Sequence, residues 1–130
     1  MKHMKIVKKS DPLGVDNLVV LMYGEPGVGK TSLGFSTRKS LLLDFDHGSH
    51  RSAFRGDSVQ VESWGEISGL TRADLKGYDT VVVDTVGRQL DYITRGMAEN
   101  DPRVLNRNGG LTMPGWGALK STFSGWINRL

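Results

Sequence analysis

Apolar residues along this chain fall into short continuous runs rather than one long alternation. Leu18-Val19-Val20-Leu21-Met22 is closed by Tyr23 and Gly24, Leu41-Leu42-Leu43 by Asp44, and the β-branched run Thr80-Val81-Val82-Val83 by Asp84. Runs of this length, ended by turn residues or acids, suit strands buried on both faces of a sheet. Val59-Gln60-Val61 alternates and reads as a further short strand. Between the runs the pattern turns helical, weakly over Ile67–Leu75 and more strongly over Val86–Ala98. Near the end, Trp116, Leu119, Phe123, Trp126, Ile127 and Leu130 recur at threes and fours and predict one apolar helical face. The segment Glu99–Gly115 carries Asp101-Pro102, Asn108-Gly109-Gly110 and Met113-Pro114, and reads as a long loop. Buried strands alternating with helices predict an α/β fold built on a parallel sheet.

Composition adds mainly exclusions. The 130 residues suffice for one small domain, read here as a basic tail or edge segment over residues 1–16 and a domain over residues 17–130. A net charge of +3 permits contact with a polyanion, although solubility alone also explains it. The absence of cysteine excludes disulfides, zinc–thiolate sites and thiol catalysis. No apolar run approaches the roughly 20 residues of a membrane span. The basic start lacks the apolar stretch of a secretory signal. A cytoplasmic protein with no membrane partner is expected.

The chemistry concentrates where the runs end. Gly24-Glu25-Pro26-Gly27-Val28-Gly29-Lys30-Thr31 matches the phosphate-binding pattern G-x-x-x-x-G-K-[ST] in full. Its glycines permit backbone conformations closed to other residues and let amide N–H groups approach phosphate oxygens. A helix starting near Gly29 points its amide donors at the anion. Lys30 reaches the β- and γ-phosphates, and the Thr31 hydroxyl ligates magnesium. With Ser32, this segment is the expected nucleotide-binding loop, and ATP with Mg2+ the expected ligand.

Asp84 ends a buried strand and so faces the crevice where sheets of this class bind ligands; it is the second expected magnesium residue. Thr85 either senses the γ-phosphate or caps the next helix. Leu43-Asp44-Phe45-Asp46-His47 ends another strand at the same side. One of its carboxylates, Asp46 by its position further past the strand, is the expected base for an attacking water. A rival reading makes Asp44, Asp46, His47 and His50 a metal cluster, although their spacing matches no zinc pattern. Arg51, Arg55, Arg88, Arg95, Arg103 and Arg107 are candidate phosphate contacts. Trp64 suits packing better than base stacking.

At these motifs the sequence resembles the RecA-like P-loop ATPases, in particular small phage-encoded ATP-binding proteins related to single-strand annealing recombinases. The residues that carry this are Tyr23–Thr31, Leu41–Asp46, Tyr78–Arg88, Gly109-Gly110-Leu111 and Gly115–Lys120. The resemblance implies a three-layer P-loop NTPase with a mostly parallel RecA-like sheet, truncated here on its C-terminal side. In such proteins an acid just past the second core strand activates water, which is where Asp46 falls, as Asp where many relatives have Glu. Lys30 is then also catalytic, and Asp84 the magnesium-associated acid. The implied partners are nucleotide, single-stranded DNA and a single-strand DNA-binding protein, with homo-oligomerisation, in the cytoplasm of a bacterial host. Family sheets place a further strand between those at Leu18–Met22 and Thr80–Asp84, so the chain as given is expected to be an incomplete domain in which these two do not pair.

Three functions compete: an ATPase module for DNA recombination, a nucleotide-binding module with little turnover acting as a structural or regulatory partner, and a small-molecule kinase. The kinase reading calls for an arginine-clustered lid that Arg103 and Arg107 are too sparse to form.

Overall fold

The computed structural model describes residues 6–12, 14–15 and 17–130. Of the expected tail over residues 1–16, therefore, 1–5, 13 and 16 lie outside the described residues. The core is a three-stranded parallel sheet in the order β2-β1-β3, with β1 at Ser40–Asp44, β2 at Asp57–Gln60 and β3 at Thr80–Asp84. Asp44 at the end of β1 stands opposite Gln60 on β2 and Asp84 on β3, so the strands deliver their polar ends to one edge. Among the described residues four α-helices accompany this sheet: α1 at Lys30–Phe35, α2 at Trp64–Ile67, α3 at Val86–Asn100 and α4 at Met113–Ile127.

The alternation of side chains along the strands makes two apolar faces. Leu41, Leu43, Val81 and Val83 join Ile67 of α2, Tyr92 of α3 and Trp126 of α4 in one cluster. Trp126 is completely buried, and its indole N–H donates to the Ile67 carbonyl at 2.7 Å, which gives the polar end of a large apolar side chain a partner. Trp64 packs 5.9 Å from Trp126, as its sequence position suggested. On the opposite face α1 lies so close to β3 that a Cβ at Gly34 would stand 2.8 Å from Val82. The result is three layers, helix on sheet on helices, as expected for the α/β class.

Helix ends follow capping chemistry. Thr85 accepts from the Arg88 N–H at the start of α3, and Thr112 accepts from the Gly115 N–H at the start of α4, with Pro114 in the first turn. Thr85 thus takes the capping role of the two considered for it. The segment read as a long loop is short and tied. Asp101 caps a 3₁₀ turn at Pro102–Val104, Leu105 bridges to Leu111, and the Asn106 side chain accepts from the N–H groups of Asn108 and Gly110.

Four expectations are corrected. Leu18–Met22 is not a strand: it has no ladder partner among the described residues, and Leu18, Val19, Val20 and Leu21 are largely exposed. An apolar run becomes a strand only when a neighbour satisfies its N–H and C=O groups. For the same reason β3, paired on one side only, is half-buried along its whole length rather than buried. Trp116 is 58% exposed rather than core, because the buried stripe of α4 runs through Gly115, Leu119 and Trp126. Helical structure in the weak region falls at Trp64–Ile67, ahead of most of the predicted Ile67–Leu75.

Candidate nucleotide site

The loop Gly24–Gly29 turns the chain into α1. Gly27 and Gly29 hold φ angles of 82° and 94°, the left-handed region that glycine enters freely. A Cβ at either would meet nothing within 4 Å, so conformation rather than crowding makes these positions glycine. Glu25, Pro26 and Val28 are exposed between them. The Leu33 N–H donates to the Gly29 carbonyl at 2.9 Å as the helix begins. The N–H groups of Lys30, Thr31 and Ser32 precede that bond and have no intrahelical acceptor. The Lys30 ammonium folds across the loop, donating to the carbonyls of Gly24 at 2.7 Å and Glu25 at 2.8 Å.

Packing of α1 on β3 brings together two residues far apart in the chain. The Thr31 hydroxyl donates to the Asp84 carboxylate at 2.5 Å. These are hard oxygen donors of the kind Mg2+ takes, set beside a fixed cation and a row of amide donors, so the residues fit a metal–triphosphate ligand. The Ser32 hydroxyl faces another way: it meets Ser52 Oγ at 3.0 Å and accepts from the Ala53 N–H at 3.1 Å. Its side chain ties the segment after β1 to α1.

The two acids after β1 separate sharply. Asp44 is fully buried and accepts from the Ser49 N–H at 2.9 Å, the Gln60 amide at 3.0 Å and the Gly48 N–H at 3.2 Å. Burial opposes its charge, but these hydrogen bonds outweigh burial and hold its carboxyl below the ordinary 3.8. Asp44 is therefore an anchor for residues 45–49. Asp46 is accessible and accepts from Arg88 Nε at 3.2 Å. His47 adopts φ 54°, and its ring Nε2 lies 3.0 Å from the Val61 carbonyl. That bond raises its pKa above 6.5; burial works against the rise, and Glu62, Asp44 and Asp46 add to it. The metal cluster considered for Asp44, Asp46, His47 and His50 does not assemble: among the described residues no three such side chains converge on one point.

Sequence reasoning placed Arg88 only in a pool of candidate arginines. The structure puts it on the first turn of α3, against Asp46, on a cleft of about 260 Å³ floored by Phe45 and Tyr92. Its place four residues after Asp84 was the signal available in the sequence.

A family model described as an AAA domain matches residues 16–130. The chain belongs to the AAA domain family. Nucleotide binding by a P-loop NTPase fold is the property that this membership carries. The SPbeta prophage-derived uncharacterized protein YorG of Bacillus subtilis (strain 168) is 26% identical over 127 residues, which covers 90% of this chain. The chain spans 38% of the length of that relative. No solved structure matches this AAA domain at a significant level. Among its described residues no helix is long and apolar enough to cross a membrane.

Proposed function

We propose that this AAA domain binds ATP with Mg2+ at Gly24–Ser32 and that, in the protein to which it belongs, it hydrolyses ATP in DNA recombination or repair. The observation that carries the reading is the pairing of Thr31 with Asp84 beside the Lys30 ammonium. Lys30 exchanges its two loop carbonyls for phosphate oxygens, a charge-assisted gain. Thr31 and Asp84 would hold magnesium, which would supply positive charge against the phosphate oxygens. Asp46 accepts the proton of the attacking water. A recombination role, with single-stranded DNA, a single-strand DNA-binding protein and further copies of the chain as partners, rests on the resemblance in sequence. The prophage origin of the Bacillus subtilis relative agrees with it.

One observation favours a second reading, a nucleotide-binding module with little turnover: the Asp46 carboxylate is engaged by Arg88. The kinase reading gains nothing, since Arg103 is held by Asp101 at 2.8 Å. ATP turnover measured with and without single-stranded DNA separates these. Hydrolysis stimulated by DNA, and lowered about 10²-fold by Asp46→Asn with binding retained, is the expected result for a general base. Turnover indifferent to both DNA and Asp46→Asn refutes the proposal.

A further inference from the structure

Arg88 has two carboxylates within reach. Its Nε donates to Asp46 Oδ1 at 3.2 Å, and its Nη1 stands 3.9 Å from Asp91 Oδ2, one turn further along α3. The first is a hydrogen bond; the second is close enough for attraction only. All three side chains meet water, with 59% of Arg88, 35% of Asp46 and 61% of Asp91 exposed. Pairs this wet are weak and exchange readily. The Asp46 oxygen that faces Arg88 has a lone pair committed to the guanidinium rather than to a water proton.

We infer that Arg88 is a positioning residue that gates Asp46, masking it when paired with it and freeing it by swinging to Asp91. The inference rests on the reading of Asp46 as the base. The arginine fork has five donors in one plane, so rotation of the side chain changes partner while Thr85 keeps the helix start fixed. Of the other charged groups on the same cleft, His47 lies beside Asp46 in the chain, and the Arg95 guanidinium sits 5.8 Å over the Tyr92 ring, so Asp91 is the acceptor left for Arg88. A signal from bound nucleotide has a short route. Asp84 accepts from Thr31, and Asp84-Thr85-Val86-Gly87-Arg88 is one continuous segment. Thr31 and Asp84, the residues that would hold a cation, stand at the head of that segment.

The test uses the full chain and three variants. Arg88→Ala raises kcat for ATP about three-fold and Asp91→Asn lowers it by a similar factor, the size set by exposed ion pairs. KM is unchanged in both, and Arg88→Lys, which keeps the cation, stays close to the parent. A fall in kcat for Arg88→Ala, or an Asp91→Asn variant equal to the parent, overturns the gate. Independently of turnover, the NMR resonance of the Arg88 Nε–H group shifts when a non-hydrolysable ATP analogue is added with Mg2+, and does not shift in Asp91→Asn. A parent chain that binds the analogue with this resonance unmoved overturns the gate. A chain that binds and never hydrolyses ATP, yet shows the shift, refutes the hydrolytic reading and supports the exchange.

Discussion

Replacing Asp44 with alanine removes the acceptor on which the start of the loop after β1 is built. Three donors lose this acceptor: the Ser49 N–H, the Gln60 amide and the Gly48 N–H. Ser49 is buried, whereas Gln60 is exposed and keeps the Ser49 hydroxyl as an acceptor at 3.2 Å, and the longer Gly48 contact is one that water easily replaces. One buried donor, the Ser49 N–H, left without a partner costs about 1–3 kcal/mol, so the destabilisation is about 2 kcal/mol. Asn restores the shape and one acceptor oxygen, but its NH2 group faces donors, so Asp44→Asn falls between parent and alanine. Urea unfolding followed by fluorescence of the buried Trp126 reads the loss as a lower midpoint at unchanged slope. The same carboxylate sets a pH dependence. Its folded pKa is depressed, so its stabilisation is complete above 3.8 and disappears as pH falls through the folded value. The alanine variant lacks that acid-side loss. A change under about 0.5 kcal/mol, the range of ordinary surface substitutions, would show that Asp44 does not anchor the loop.

Three further outcomes follow from the packing. Gln89 is fully buried with neither side-chain amide atom hydrogen-bonded, so Gln89→Leu raises stability by about 1–2 kcal/mol in the same unfolding experiment; a loss contradicts this. A Cβ at Gly115 would stand 2.3 Å from the Val104 carbonyl oxygen, which is itself held by the Thr112 N–H at 2.8 Å, so Gly115→Ala lowers stability by about 2–3 kcal/mol. An unchanged midpoint refutes that clash. His47 has a raised folded pKa, so its contribution is complete below 6.5 and is lost as pH rises through the folded value; the parent loses midpoint on that side and His47→Ala does not.

Features that depend on neighbours in the chain were legible in the sequence. The runs at Leu41 and Thr80 are strands, Val86–Asn100 is a helix, and Gly27 and Gly29 hold the left-handed angles that their loop requires. Features that depend on distant partners were not. Leu18–Met22 has the composition of a buried strand, but pairing is decided by what lies beside it, and a hydrophobic pattern carries no record of that. Trp116 shares the helical spacing of Leu119 and Trp126, yet the close approach of Gly115 to Val104 turns that end of the helix so that the indole meets water. Asp44 and Asp46 differ by two positions and looked alike. Donors from Ser49 and Gln60 bury one, and an arginine 42 residues away takes the other.

The central claim, that Gly24–Ser32 is a nucleotide site served by Lys30, Thr31 and Asp84, is tested most directly by equilibrium titration of a fluorescent ATP analogue with Mg2+ into the parent and Lys30→Ala chains. Lys30 is exchanged here for a side chain without charge, and a hydrogen bond to a charged group contributes about 1.5–3 kcal/mol, so affinity falls about 10- to 100-fold while the unfolding midpoint stays put. Equal affinity in the two chains, with the fold intact in both, contradicts the account.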